Sequence, residues 1–197
     1  MLASIKSIFW RSVGGGFVVD IKREKVAHEA PLIQCFCDVI GTDARFGFKR
    51  VINLGNDNAS CSDIEYLSNG SEYLIVEAKS HESKDAYNTR HKIFGQLLKE
   101  HGKKSQSRQE YAVSTKLGLL IPKDKPISSK SSTKKSGYDF YRDGFTDIPN
   151  DIFSSFGELV KVQYVFVCSV KDKTIDIYSW VGFRGGEQPI YVITPLA

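Results

Sequence analysis

Asp63, Glu77 and Lys79 are the residues whose types and spacing best suit chemistry. They lie within "SDIEYLSNGSEYLIVEAKSH", residues 62–81. The apolar run Tyr73-Leu74-Ile75-Val76 passes directly into Glu77 and Lys79. Such a run belongs inside a protein, where charge is costly unless it is paired or bound. On a strand, side chains alternate faces. Tyr73, Ile75, Glu77 and Lys79 therefore share one side, and Leu74, Val76 and Ala78 the other. A divalent cation would compensate acids placed there. Mg²⁺ takes a few oxygen ligands and keeps several waters. Asp63, Glu77 and the backbone carbonyl of Ala78 can supply those oxygens. Lys79 would then stand beside a metal-bound water and orient or deprotonate it for attack on a phosphate. A structural ion pair at a strand end is the competing account of Glu77 and Lys79. Glu65, on the Asp63 face, reads as a salt-bridge partner rather than a ligand.

The elements that must position these groups follow from periodicity. Residues 21–40 carry a helical stripe of Val26, Ala30, Ile33, Cys37 and Ile40. Pro31 either kinks that helix or stands in the first turn of a new one. Residues 46–54 read as a strand. "DIEYL" and "EYLIVEA" read as a hairpin around Asn69-Gly70, the strongest short turn signal. Ser83 or Asp85 caps a helix through residues 86–102. A strand is expected within 111–121, then a flexible basic loop over 122–137 with two prolines and five serines. "LVKVQYVFVCSV", "TIDIYSWV" and "PIYVIT" read as further strands after residue 159. This order implies an α/β or α+β fold, a mixed sheet with helices packed on it. The chain is read as one domain.

Hairpin register decides whether the acids can cooperate. A two-residue loop at Asn69-Gly70 would put Asp63 on the opposite face from Glu77, because a one-residue slip flips every side chain. A loop of residues 68–70 with Gly70 left-handed, or a loop of residues 69–71, puts them on one face. The second sets Asp63 directly opposite Glu77. An odd-length loop is therefore predicted, with the two carboxylates close enough to share one ion, within about 3–6 Å.

Composition bounds the partners. Of 197 residues, 41% are hydrophobic, enough for a real core. The four cysteines lack the paired spacing of a zinc site and read as reduced, packed thiols. The four histidines show no ligand spacing and read as surface groups. "SVGGGF" lacks the Gly-Lys-Ser/Thr of a phosphate loop and reads as a flexible turn. No signal peptide or membrane-length apolar run is present, so an intracellular, cytoplasmic protein is expected. Net charge is only +4. Between Gly102 and Gly137, however, nine bases face two acids, a local excess of +7. Lys103, Lys104, Lys123, Lys125, Lys130, Lys134 and Lys135 are accordingly candidates for binding a polyanion.

Asp63, a hairpin, Glu77-x-Lys79 and a helix carrying "GQLL" together resemble the PD-(D/E)XK nuclease superfamily, with its restriction-endonuclease-like fold. The resemblance covers about residues 21–121, and Ser62 stands where the name motif has proline. It implies that the first acid begins the second core strand and that E-x-K comes late on the third. It implies that Gln96, on the following helix, helps to place water or substrate. It makes Glu29, on the first helix, a further metal ligand. His28 is the alternative there, as in viral cap-snatching endonucleases of this fold. The implied activity is Mg²⁺-dependent hydrolysis of DNA, with Mn²⁺ able to substitute and a 5′-phosphate product. The expected partner is double-stranded DNA, cut by a restriction-type or related defence or mobile-element endonuclease acting as a homodimer. The strands after residue 159 would then serve dimerisation or base recognition. The alternatives are an inactive nucleic-acid-binding module of the same fold and an RNA-cleaving endonuclease.

Overall fold

The computed structural model describes residues 12–13, 16–17, 29–41, 43–54 and 62–194. The expected helical stretch over 21–28, with Val26 and His28, lies outside the described residues, as do Cys61 and the Gly-rich turn after Val13. Two short strands, β1 (Ser12–Val13) and β2 (Gly16–Phe17), pair with each other.

Helix α1 (Ala30–Ile40) starts with Pro31 in its first turn, where a missing N–H costs nothing. Next come β3 (Phe48–Leu54), β4 (Ile64–Ser68) and β5 (Tyr73–Ala78), an antiparallel meander. Helices α2 (Ala86–Gly102) and α3 (Gln106–Glu110) lead to β6 (Thr115–Pro122), which pairs parallel to β5. A parallel pair needs a long crossover, and α2 with α3 provides it. The same device recurs: α4 (Gly137–Thr146) and α5 (Asn150–Val160) carry the chain to β7 (Val162–Ser169), parallel to β6. Then follow β8 (Thr174–Ser179), α6 (Trp180–Gly185) and β9 (Tyr191–Ile193). The fold is α/β: one mixed sheet, ordered β3-β4-β5-β6-β7-β8-β9, flanked by helices. The strands after residue 159 are thus not an appendage. β7, in its middle, is buried on both faces.

Alternation sorts two cores. Ile64, Tyr66, Leu74, Val76 and Phe166 pack on the α1 side. Tyr73, Ile75, Leu97, Phe140 and Phe153 pack on the side of α2, α4 and α5. Gly118 is required where it stands, since a Cβ there would meet the Phe166 ring at 2.7 Å. No described helix is long and apolar enough to cross a membrane.

The hairpin loop is odd-length. Ile64 pairs with Val76 and Leu67 with Tyr73, the register of the loop 69–71. The Ser71 N–H donates to the Ser68 carbonyl at 2.9 Å, and Ser71, not Gly70, is left-handed at φ 64°. A turn followed by one left-handed residue is the usual three-residue connection.

Helices α3, α4, α5 and α6 fall where no helix was expected, and α6 takes Trp180 and Val181 from the end of an expected strand. In α4, Tyr138, Tyr141 and Phe145 recur at helical spacing. Ser136 caps the helix, accepting from the Asp139 N–H at 3.1 Å. The "flexible" basic loop is instead strapped down. Glu82 accepts the N–H groups of Ile127 and Ser128 at 2.8 and 2.7 Å. Ser131 donates to the His81 carbonyl at 2.6 Å, and Ser131 and Thr133 are buried. This strap also corrects His81, which is buried rather than superficial. His91 and His101 are exposed.

Candidate active site

The acids converge because three local devices meet at the end of β5. The register sum of the hairpin carries Asp63 to the level of Glu77, on the face away from α1. The Asp63 Oδ2 accepts the Ala78 N–H at 2.9 Å, which fixes its carboxylate across the strand pair. The Lys79 N–H donates to the Leu120 carbonyl at 2.8 Å, so β6 holds the backbone where β5 ends. Glu29 stands at the N-terminus of α1. Its side chain does not cap the helix but turns towards the same point.

The Lys79 ammonium occupies the centre. It lies 3.5 Å from Glu29 Oε1, 3.8 Å from Asp63 Oδ2 and 3.8 Å from Glu77 Oε2, and it donates to the Ala78 carbonyl. Four oxygens thus surround one positive nitrogen. They are the oxygens the sequence assigned to a cation: Asp63, Glu77, the Ala78 carbonyl and Glu29. All are hard oxygen donors, the set that Mg²⁺-type ions take. Among the described residues no three His, Cys, Asp or Glu groups form a ready-made ion cluster. The ammonium is the cation these acids share.

Burial sharpens the electrostatics. Asp63, Glu77 and Lys79 are 8%, 6% and 5% exposed. Burial, and then the neighbouring Asp63 charge, push the Glu77 carboxyl up to about 8, against the pull of Lys79. Burial also raises Glu29, with Lys79 opposing. For Lys79, burial works against the charge, but Glu29, Asp63 and Glu77 outweigh it and the ammonium is held above its ordinary range. One lysine shared by several buried acids leaves Glu77 holding a proton near neutral pH.

A second cluster lies beside the first on the same face. Arg108 Nε and Nη2 donate to Glu65 at 3.0 and 2.9 Å, and Nη2 also to Glu100 at 3.0 Å. The Tyr73 hydroxyl donates to Glu65 at 2.5 Å, and the Ser62 hydroxyl donates to Glu65 at 3.0 Å. Glu65 is a salt-bridge partner, as expected. Arg108, counted among the bases of the charged stretch, is buried structure.

The remaining expected residues divide. Gln96 sits on α2 one turn before Glu100. Its Oε1 is buried without a partner among the described residues, and it makes none of the hydrogen bonds around Lys79. Lys103 pairs with Glu100 and contributes to the surroundings of Glu77. Lys123 pairs with Asp176 at 2.7 Å and Lys135 with Asp143 at 2.6 Å. Three of the seven candidate lysines are thus in ion pairs within the protein. Lys104, Lys125, Lys130 and Lys134 are exposed. The last three ride on the strap that packs against residues 81–86, just beyond Lys79.

Two residues near the acids had not been singled out. Glu100 is one of the charges acting on Glu77. The helical spacing from Gln96 could have found it. Tyr141 has a buried hydroxyl without a partner among the described residues, and Glu29 is one of the charges that, after burial, raise its phenol. The Ser136 cap and the spacing of Tyr141 and Phe145 were its signal. The described cysteines, Cys35, Cys37 and Cys168, are buried free thiols. No protein-family model matches this chain, and no curated protein or solved structure matches it either.

Proposed function

We propose that this protein is a Mg²⁺-dependent nuclease of the PD-(D/E)XK kind, hydrolysing phosphodiester bonds of DNA. One observation carries the reading: Asp63, Glu77, Glu29 and the Ala78 carbonyl converge on the Lys79 ammonium at the end of a buried strand. The order of elements is in keeping with it. Asp63 immediately precedes the second strand of the meander, Glu77 lies late on the third, and Gln96 is on the next helix.

Asp63 and Glu77, with the Ala78 carbonyl and Glu29 behind them, are the residues to hold the ion. A divalent ion there would polarise the scissile phosphate and acidify a bound water. Asp63 arrives pre-aimed by its bond to the Ala78 N–H. Glu77 must give up its proton. Lys79 orients the attacking water and offsets charge on the phosphate. Water adds to phosphorus, the bond to the 3′ oxygen breaks, and the product carries a 5′-phosphate. Gln96 offers its unpartnered oxygen to water or substrate. Lys125, Lys130 and Lys134 steer the polyanion.

The rival reading is a nucleic-acid-binding module without cleavage, favoured by the fact that Lys79 already neutralises these acids. Plasmid, single-stranded DNA and RNA incubated with Mg²⁺, Mn²⁺ or EDTA separate the two. Cleavage is expected that EDTA abolishes and that is lost in Glu77→Ala and Lys79→Ala, each still binding DNA. Cleavage that ignores EDTA, or persists in both variants, refutes the assignment. Binding without any cleavage favours the rival.

A further inference from the structure

Two thiols meet on the α1 side of the sheet. Cys35 lies on α1 and Cys168 near the end of β7, 133 positions apart in the chain. Both are buried in the core that α1 shares with the sheet. The Cys168 S–H donates to Cys35 Sγ at 3.3 Å, and Cys35 Sγ donates in turn to the Ser169 carbonyl at 3.4 Å. A disulfide holds its sulfurs about 2.05 Å apart, so an approach of about 1.3 Å would join them.

The two thiols are not equivalent. A thiolate at Cys35 keeps the hydrogen bond from Cys168, whereas the Cys35 S–H is aimed at a backbone carbonyl and gives Cys168 no donor. The bond from Cys168, helped by the Lys173 ammonium, holds the Cys35 thiol below its ordinary value, against burial and the charges of Asp38 and Asp124. The same bond, and then burial, raise Cys168. The thiolate is the reactive form in oxidation and exchange, so attack falls to Cys35. Cys37, two residues further along α1, makes no sulfur hydrogen bond among the described residues, and burial pushes its thiol up. Just beyond Ser169 the chain leaves the sheet in an exposed turn over 171–173. Opening of that turn is the route to the sulfurs, and it admits a water-sized oxidant before a bulky one.

We propose that Cys35 and Cys168 are a reversible redox pair, which a peroxide converts into a disulfide tying α1 to β7. The Cys35 sulfur attacks the peroxide O–O bond. An S–O bond forms, the O–O bond breaks, and one oxygen leaves as water, so Cys35 becomes a sulfenic acid. The Cys168 sulfur then attacks Cys35. The S–S bond forms, the S–O bond breaks, and the oxygen leaves as a second water with the Cys168 proton. Two thiols have lost two electrons to one peroxide. A thiol reductant reverses the bond by exchange. The consequence is mechanical. Glu29 stands at the start of α1, so the bond fixes the helix that presents it. It also closes a long loop, which restricts the unfolded chain and stabilises the fold. Neither thiol enters the phosphodiesterase reading above, so the two stand or fall separately.

The test treats the reduced protein with hydrogen peroxide, blocks the remaining thiols and maps linked peptides by tandem mass spectrometry. Fragments between Cys35 and Cys37 tell those two apart. The expected product is an intramolecular Cys35–Cys168 link that dithiothreitol reverses, in a protein melting about 5 °C or more above its reduced form. Cys168→Ser keeps a donor beside Cys35 but cannot form the bond. It should stop at the Cys35 sulfenic acid, trapped by dimedone, with no rise in melting temperature. A link through Cys37 or Cys61, a link between two chains, or all four thiols still free after peroxide overturns the proposal. A linked protein that melts below the reduced one overturns it too. The wild-type reaction decides these outcomes even where Cys168→Ser folds poorly.

Discussion

Asp63 accepts the Ala78 N–H at 2.9 Å through the same Oδ2 that lies 3.8 Å from the Lys79 ammonium. One carboxylate oxygen therefore ties the backbone of β5 to the charge at its end. Asp63 cannot leave the cluster without breaking a buried hydrogen bond. Glu29 also has a backbone hydrogen-bond partner, Ser80, whereas Glu77 has no side-chain hydrogen bond among the described residues, so Glu77 depends most on the cation between the acids.

That dependence predicts a rescue. Lys79→Ala leaves three acids, each at most 15% exposed, facing one another without the ammonium between them. Removing one partner of a buried ion cluster costs about 3–5 kcal/mol. The variant is expected to melt well below wild type in EDTA. Mn²⁺ or Mg²⁺ should then raise its melting temperature more than that of wild type, because the ion no longer competes with the ammonium. Equal, small metal effects on both proteins would show that these acids do not take a divalent ion.

Glu77 sets the pH dependence. Its carboxyl is raised from 4.5 in the ordinary state to about 8 by burial and then by Asp63. The folded protein thus holds a proton that the unfolded chain has released. Stability from this group is complete below about 4.5 and drains away as pH rises through about 8, with a slope of up to about 1.4 kcal/mol per pH unit. Urea denaturation in EDTA at several pH values should show this loss, and Glu77→Gln should flatten it. Metal binding has the opposite trend, since the ion competes with that proton. Cleavage at limiting Mg²⁺ should rise with pH across the same window. Wild type and Glu77→Gln with parallel stability profiles would contradict the shared-proton account.

Much of this site was legible because strand alternation is rigid. Once Glu77 and Lys79 share a face, only an odd-length loop brings Asp63 to it, and the hairpin has one. Local backbone chemistry was less legible: Ser71 takes the left-handed position although Gly70 stands next to it. The long-range pairings were hidden. β7 lies parallel to β6 in the sheet centre, which requires a crossover, and residues 137–160 form its two helices. Charge counting failed for a related reason. Composition cannot reveal that Lys123, Lys135 and Arg108 meet Asp176, Asp143 and Glu65, residues 8 to 53 positions away.

Those pairings divide the lysines of the strap. Lys125, Lys130 and Lys134 are exposed, whereas Lys123 and Lys135 are bound to acids. On duplex DNA each neutralised phosphate contributes about −0.9 to the log–log salt slope. Changing the first three to Ser should flatten the slope by up to about 2.7. Changing Lys123 and Lys135 should alter it far less, since their charges are already countered. Anisotropy across a salt series decides this, and equal effects from both sets would mean that the ion pairs open on binding.

Arg108 provides the contrasting case, a base that belongs to the fold. Its guanidinium bridges Glu65 and Glu100 and also donates to the Glu100 carbonyl at 2.7 Å. Truncation would strand two buried acids beneath α2, next to the helix face that carries Gln96. Arg108→Ala is expected to cost about 3–5 kcal/mol of stability. Arg108→Lys should recover only part of it, because an ammonium cannot make the two parallel bonds to Glu65. Below its unfolding transition, Arg108→Ala should keep the salt slope of wild type, as a buried arginine touches no phosphate. A slope reduced by nearly one full phosphate, with stability intact, would instead put Arg108 on the nucleic acid.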